Sequence, residues 1–67
     1  MYQGTICSVR ADRGFGFISL ANSPDVFFHA SDLDGLEFDE LLRERRVEFE
    51  IVSSPRGPRA TNVRPAV

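Results

Sequence analysis

Apolar and polar residues alternate in short segments along most of the chain. The clearest case is the stretch VEFEI, residues 47–51, in which three apolar side chains alternate with two glutamates. Because successive side chains of a β-strand point to opposite faces, this order predicts a strand with one buried face. Segments of this kind, rich in β-branched and aromatic residues and bounded by turn-forming residues, predict five strands at residues 5–9, 15–20, 26–29, 47–52 and 60–63.

One segment has helical periodicity instead. Within residues 36–46, four side chains recur at the spacing of one helical face: Phe38, Leu41, Leu42 and Arg45. Five short strands with a short helical turn between the third and the fourth predict an all-β fold. A small closed barrel is the expected architecture, because closure leaves no sheet edge exposed. Pro65 should end the last strand, since proline has no N–H to donate to a ladder.

Alternation also assigns a face to the aromatic side chains of the second and third strands. Phe27 and His29 share one side of the third strand, opposite Val26 and Phe28. A lone imidazole lies more readily in water than in a small apolar core, so we expect Phe27 and His29 to face outward.

In the second strand, RGFGFI at residues 13–18 separates two phenylalanines by a glycine. If Ile18 faces the core, Gly16 does so too, and Phe15 and Phe17 face outward. Gly14 and Gly16 would then permit a bent strand and close backbone approach. Phenylalanines in strands more often fill a core. Here, six of them together with the aliphatic residues exceed the interior of so short a barrel, which favours an exposed aromatic surface.

Composition narrows the function. The chain of 67 residues suffices for one domain, 1–67, and its 42% hydrophobic and 27% charged residues are typical of a globular protein. No apolar run is long enough to span a membrane and no secretion signal begins the chain, so we expect a cytoplasmic protein without membrane contact. One cysteine and one histidine predict no metal site, no cofactor and no catalytic set, hence no enzyme.

The net charge of −2 conceals a segregation of charge along the chain. Residues 32–50 contain eight acids and three arginines, whereas residues 51–67 contain three arginines and no acid. All eight basic residues are arginine, whose planar guanidinium can both pair with phosphate and stack on a ring. Base composition of the genome would explain the absence of lysine equally well.

Two motifs indicate a family. Residues 13–18 fit the first ribonucleoprotein pattern, but only twelve residues precede them, too few for an RNA-recognition motif. From about residue 4 to residue 63 the chain resembles the bacterial cold-shock domain family, with residues 25–31 similar to its second motif and residues 56–63 to its closing loop and strand. The resemblance implies a five-stranded antiparallel OB-type barrel that binds single-stranded RNA and DNA. It places nucleic-acid contacts at Phe15, Phe17, Phe27, His29, Phe38 and Arg56.

The chain also departs from the family pattern. Family members typically have Lys-Trp-Phe-Asn in the first strand, where this chain has Cys-Ser-Val-Arg at residues 7–10. The resemblance therefore implies that Ser8, Val9 and Ala30 replace aromatic groups, which should weaken binding. We expect Arg10 to compensate in part. Glu44 stands where a turn glycine is common, which predicts a firmer helical turn over residues 41–46.

The leading hypothesis is a non-catalytic protein that binds single-stranded RNA or DNA with low sequence preference and melts weak secondary structure, as an RNA chaperone does. Phenylalanines would stack on bases, His29 would stack or hydrogen-bond, and phosphates would meet four arginines: Arg10, Arg13, Arg56 and Arg59. The alternative is a barrel that binds a protein partner through the same apolar patch, with Leu36, Phe38 and the acidic segment. A monomer and a strand-swapped dimer both remain open.

Overall fold

The computed structural model describes residues 1–39 and 42–66. These residues form five β-strands and one 3-10 helix: β1 at Tyr2–Arg10, β2 at Phe15–Ser19, β3 at Val26–His29, the helix at Ala30–Asp32, β4 at Arg46–Ser54 and β5 at Gly57–Pro65. The strands close into a barrel in the order β1-β2-β3-β5-β4. Neighbouring strands pair antiparallel, except that β3 and β5 meet in parallel at Phe27 and Arg59. The predicted all-β barrel is confirmed.

The strands confirm the predicted segments but differ in length. β3 has the predicted bounds, and β5 ends at Pro65 as expected. Strands β1, β4 and β5 extend beyond their apolar segments, because backbone pairing continues where side chains are exposed. Ser54 still pairs with Gly57 at the β4–β5 turn, and Tyr2 pairs with Phe49. Length therefore follows the hydrogen-bond ladder rather than the apolar pattern.

The core lies inside the barrel and follows the predicted alternation. On β4, Val47 and Phe49 are fully buried while Glu50 is exposed. On β3, Val26 and Phe28 are buried and His29 is exposed. The fully or almost fully buried side chains among the described residues are Ile6, Ile18, Val26, Phe28, Leu42, Val47, Phe49, Ala60 and Val63. In the same part of the chain, no helix is long and apolar enough to cross a membrane.

The helical prediction for residues 36–46 is contradicted at residues 36–38, which have no regular structure, whereas Leu42 has 3-10 helical conformation and its N–H donates to the Asp39 carbonyl at 3.1 Å. A further helical turn between β3 and β4 lies at Ala30–Asp32. Residues 43 and 44 form a turn, and Glu40 and Leu41 lie outside the described residues. Glu44 has a φ of 68°, the left-handed conformation that glycine adopts most readily. Its N–H donates to the Ile6 carbonyl at 2.7 Å, and the Ile6 N–H donates to the Arg45 carbonyl at 2.9 Å. These hydrogen bonds to β1 require a turn, so Glu44 adopts the left-handed backbone conformation that is typical of glycine.

Candidate nucleic-acid interface

Three phenylalanine rings form one cluster on the outer face of β2 and β3. The ring centroids of Phe15 and Phe27 are 5.6 Å apart, those of Phe17 and Phe27 are 5.9 Å apart, and those of Phe15 and Phe17 are 6.0 Å apart. Each ring is only partly buried. We call Phe15, Phe17 and Phe27 the aromatic triad. A partly exposed apolar cluster of this kind is typical of a binding surface.

Strand register places the triad on one face. Phe17 pairs with Phe27, and Phe15 pairs with His29, so all four side chains share the outer side of β2 and β3. Gly16 occupies the inner side. A β-carbon on Gly16 would lie 2.5 Å from the Ser8 carbonyl oxygen and 2.8 Å from the Phe28 ring. The inner face of β2 therefore has no room for a side chain at this position.

His29 lies at the edge of the triad with its ring held from one side. Its Nδ1 accepts a hydrogen bond from the Ser31 N–H at 3.1 Å and lies 3.0 Å from the Ser31 hydroxyl. The His29 N–H donates to Asp32 Oδ2 at 2.9 Å. These reciprocal bonds form a capping box at the start of the 3-10 helix, so the ring does not rotate freely.

Arg56 lies in the turn between β4 and β5 and faces the same surface. Together with the triad and His29 it lines an open depression. The parallel contact of β3 with β5 at Phe27 and Arg59 explains this position, because it brings the turn before β5 beside the third strand. A cation thus lies beside the rings although it is distant from them in sequence.

Arg59 and Phe38 have structural contacts of their own. The Arg59 guanidinium binds Asp32 through two hydrogen bonds, of 2.9 and 3.2 Å, and the Asp32 side chain is 10% exposed. The Phe38 ring packs edge-on against Phe28, with centroids 6.2 Å apart, and belongs to no contact of the triad. Arg59 therefore joins β5 to the 3-10 helix, and Phe38 covers the core.

Arg10 and Arg13 flank the opposite end of the triad. Arg10 pairs with Phe15 across the β1–β2 ladder, so its side chain lies on the outer face beside that ring. With Asp12 and Phe15, the two arginines line a second depression. Among residues 1–39 and 42–66, the ion pairs are Arg59–Asp32 and Arg64–Glu48, so Arg10, Arg13 and Arg56 carry no ion pair there.

A β-bulge in β1 determines which faces Ser8 and Val9 occupy, the two β1 positions where family members typically have aromatic residues. The register of β1 on β2 shifts between Ile6 and Ser8, so Cys7 is the extra residue. Ser8 then pairs with Phe17 on the outer face, whereas Val9 pairs with Gly16 and packs against the core. The expectation that Val9 removes a ring from the surface is therefore wrong, and Ser8 alone leaves a gap in β1 beside the triad. Ala30 is partly buried at the start of the 3-10 helix.

Cys7 itself is exposed at the bulge. Its Sγ lies 3.5 Å from the Phe17 carbonyl oxygen and 3.6 Å from Asp25 Oδ2. Partial burial raises the pKa of the Cys7 thiol, and the charge of Asp25 and its hydrogen bond raise it further. At a given pH the Cys7 thiol therefore carries less reactive thiolate than an unperturbed cysteine does.

Sequence reasoning missed Arg43. This residue lines a depression with Ser8 and Arg10. The hydrogen bond from the Glu44 N–H to Ile6 explains the placement, because it fixes the turn against β1. Arg43 stands inside an acidic segment of the sequence, so charge counting concealed it. The only signal in the sequence was that an arginine adjoins the turn position 44.

Comparisons with known proteins agree with this architecture. A family model described as the 'Cold-shock' DNA-binding domain matches residues 2–66. The probable cold shock protein A of Mycobacterium tuberculosis is 48% identical over 65 residues, which cover 96% of this chain and 97% of that protein. Cold shock protein CspA of Staphylococcus saprophyticus is 43% identical over 63 residues, which cover 94% of this chain and 96% of that protein.

A solved structure agrees as well. Drosophila Unr CSD456 superposes with a TM-score of 0.76 at 26% identity, and the match covers 98% of this chain but 26% of that chain. The resemblance that the two ribonucleoprotein-like motifs indicated is confirmed. The chain therefore belongs to the cold-shock domain family, a membership that supports nucleic-acid binding in general.

Proposed function

We propose that this protein is a non-catalytic module that binds single-stranded RNA or DNA by stacking unpaired bases on the aromatic triad. The observation that carries the proposal is the triad itself, three partly exposed rings with centroids within 6.0 Å of one another. Each nucleobase has a flat π-face, so rings in a cluster accept any base, and each contact contributes about 1–3 kcal/mol. Low sequence preference follows from this mode of binding.

Arginines around the triad support a path for the phosphate backbone. Arg10, Arg13 and Arg43 lie on the β1 side, and Arg56 lies on the β5 side, so a strand that crosses the triad meets cations at both ends. Arg59 is engaged with Asp32 and is assigned a structural role in this proposal. Because few phosphates are neutralised, affinity should fall only moderately as the salt concentration rises. Each neutralised phosphate should contribute about 0.7 to the slope of log affinity against log salt concentration.

The gap at Ser8 supports a modest affinity. A ring at this position would extend the triad along β1 beside Phe17, whereas serine offers no stacking surface. A protein that holds unpaired bases weakly and with little preference can prevent short RNA helices from forming and then release the strand. This behaviour is what we propose as RNA-chaperone-like activity.

The decisive test replaces Phe27, because its ring contacts both other members of the triad. Fluorescently labelled pyrimidine hexamers are titrated with the protein and binding is followed by anisotropy. Loss of one stacking partner at about 1–3 kcal/mol predicts that Phe27→Ala binds about 5- to 150-fold more weakly. Circular dichroism establishes that the variant is folded.

Val52→Ala is the matched control, because Val52 is an apolar residue of β4 that is 43% exposed and lies outside the triad. It should bind as the wild-type protein does. Equal affinity of Phe27→Ala and wild type would refute stacking on the triad. If the wild-type protein binds no hexamer at millimolar concentration, the proposal fails, and the apolar surface serves the alternative role of contacting a protein.

A further inference from the structure

The depression beside Ser8 differs in chemistry from the depression at the aromatic triad. In the described part of the chain its lining residues are Cys7, Ser8, Val9, Arg10 and Arg43. None of these lining residues is acidic. We call this site the Ser8 depression. Its exposed wall is mainly polar, whereas the wall of the depression at the triad is mainly apolar. The two depressions are therefore suited to different parts of a nucleotide, the phosphate and the base.

Two guanidinium groups in the Ser8 depression have no acidic partner within the described part of the chain. The ion pairs found there involve other arginines, Arg59 and Arg64. Arg10 and Arg43 are both exposed, and a guanidinium can donate two parallel hydrogen bonds to one phosphate. The depression therefore presents two positive charges that no described carboxylate neutralises.

The backbone holds these two arginines on either side of an open space. On β1, Ser8 and Arg10 share the outer face. The turn that carries Arg43 is fixed beside them, because the Glu44 N–H donates to the Ile6 carbonyl at 2.7 Å. The serine side chain is short, so a volume of about 370 Å³ stays open. This is the volume of about a dozen water molecules in the liquid, which is enough for a hydrated phosphate group.

The charge of the depression favours a phosphate monoester over the phosphodiesters inside a strand. A monoester carries about −1.5 to −2 charges at pH 7 and has three free oxygens. A phosphodiester carries one negative charge and can therefore neutralise only one of the two guanidinium groups. The Ser8 hydroxyl can donate one further hydrogen bond. Both charges of the depression are matched only by a phosphate at the end of a strand.

We propose that the Ser8 depression binds the terminal phosphate monoester of a nucleic-acid strand. The inference rests on the proposed function and deepens it, because it assigns the position of one end of the bound strand. Ser8 pairs with Phe17, so a base stacked on that ring has its phosphate next to the depression. Stacking on the triad is the same for any strand. The depression adds a preference for strands that hydrolysis has left with a phosphorylated end.

The test compares otherwise identical hexamers with a hydroxyl group at both ends, with a 5′-phosphate or with a 3′-phosphate. Each unlabelled hexamer competes with one labelled hexamer, and anisotropy is measured at low salt. Two exposed ion pairs predict that at least one phosphorylated hexamer binds about 3- to 30-fold more tightly than the hydroxyl-ended one. Affinities that agree within about twofold would overturn the inference and leave the proposed function standing. If the wild-type protein binds no hexamer, the proposed function fails, and the inference fails with it.

Three variants locate the effect, and circular dichroism establishes that each is folded. Arg43→Gln removes one of the two cations, so the affinity ratio should fall to about two- to fivefold. Ser8→Trp fills the depression, so the ratio should fall to about one. Arg64→Gln is the matched control: it changes the net charge equally, but its arginine is paired with Glu48, and the wild-type ratio should persist. An equal decrease in Arg64→Gln and Arg43→Gln, or a wild-type ratio in Ser8→Trp, would refute binding at this site.

Discussion

Replacing Gly16 with alanine tests why the aromatic triad is built around a glycine. The added β-carbon would lie 2.5 Å from the Ser8 carbonyl oxygen and 2.8 Å from two atoms of the Phe28 ring. Favourable carbon–carbon contacts begin at about 3.5 Å, so the overlap with Phe28 is about 0.7 Å. Neither neighbour can move freely, because Ser8 belongs to a paired strand and Phe28 is fully buried.

Overpacking of this kind costs about 1–3 kcal/mol. A core of this size rarely supplies more than about 3–5 kcal/mol of net stability, so the substitution should remove a large fraction of it. Each kcal/mol shifts the Tm of a small domain by about 4–8 °C, which predicts a decrease of about 4–24 °C for Gly16→Ala. Thermal unfolding followed by circular dichroism measures this shift.

Gly35→Ala is the control for Gly16→Ala. Gly35 has a φ of +78°, and a β-carbon added to it would have no heavy atom within 4 Å, so alanine there meets a conformational cost without a clash. That cost is about 1–2 kcal/mol. Urea unfolding measures the loss of stability in both variants. NMR spectra separate the two causes, because only Gly16→Ala should also perturb the Phe28 ring signals. A Gly16→Ala protein with wild-type Tm would refute the steric argument.

Three further predictions follow from the contacts around β1. If Arg43 contacts one phosphate, Arg43→Gln should lower the slope of log affinity against log salt concentration for hexamer binding by about 0.7. Arg64→Gln is the control and should leave the slope unchanged, because Arg64 is paired with Glu48 at 3.5 Å. Equal slopes for the two variants would show that Arg43 contacts no phosphate. Glu44→Gly should raise the free energy of unfolding by about 1 kcal/mol in urea titrations, because φ is 68° at this position and glycine adopts that conformation without the cost of a β-carbon. A decrease in the free energy of unfolding would contradict a strained backbone at this position. Burial, and then the charge of Asp25, raise the pKa of Cys7, so less thiolate is present at pH 8 and alkylation of Cys7 should be slower than alkylation of free cysteine. Asp25→Asn should accelerate the alkylation. An unchanged rate would argue against the electrostatic contact between Asp25 and Cys7.

The barrel and the outward direction of its rings were predictable from the sequence, because both follow from local alternation. In VEFEI the order of apolar and acidic residues assigns Val47 and Phe49 to the core, and the structure buries both completely. The same period of two, together with one histidine that avoids the core, places Phe27 on the outside. Two residues of a strand need no distant partner to lie on opposite faces.

Other features depended on contacts between distant segments, and only the closed barrel decided them. The bulge at Cys7 lies just beyond the Thr5–Arg46 pair that ends the β1–β4 ladder, where β1 continues along β2, and it turns Val9 to the core against the family-based expectation. Glu44 adopts a turn because its N–H reaches Ile6, although the helical periodicity around it predicted a helix. The Arg59–Asp32 pair joins residues 27 positions apart. Alternation acts between neighbours and is visible in a sequence, whereas register and ion pairing depend on which strands meet when the barrel closes.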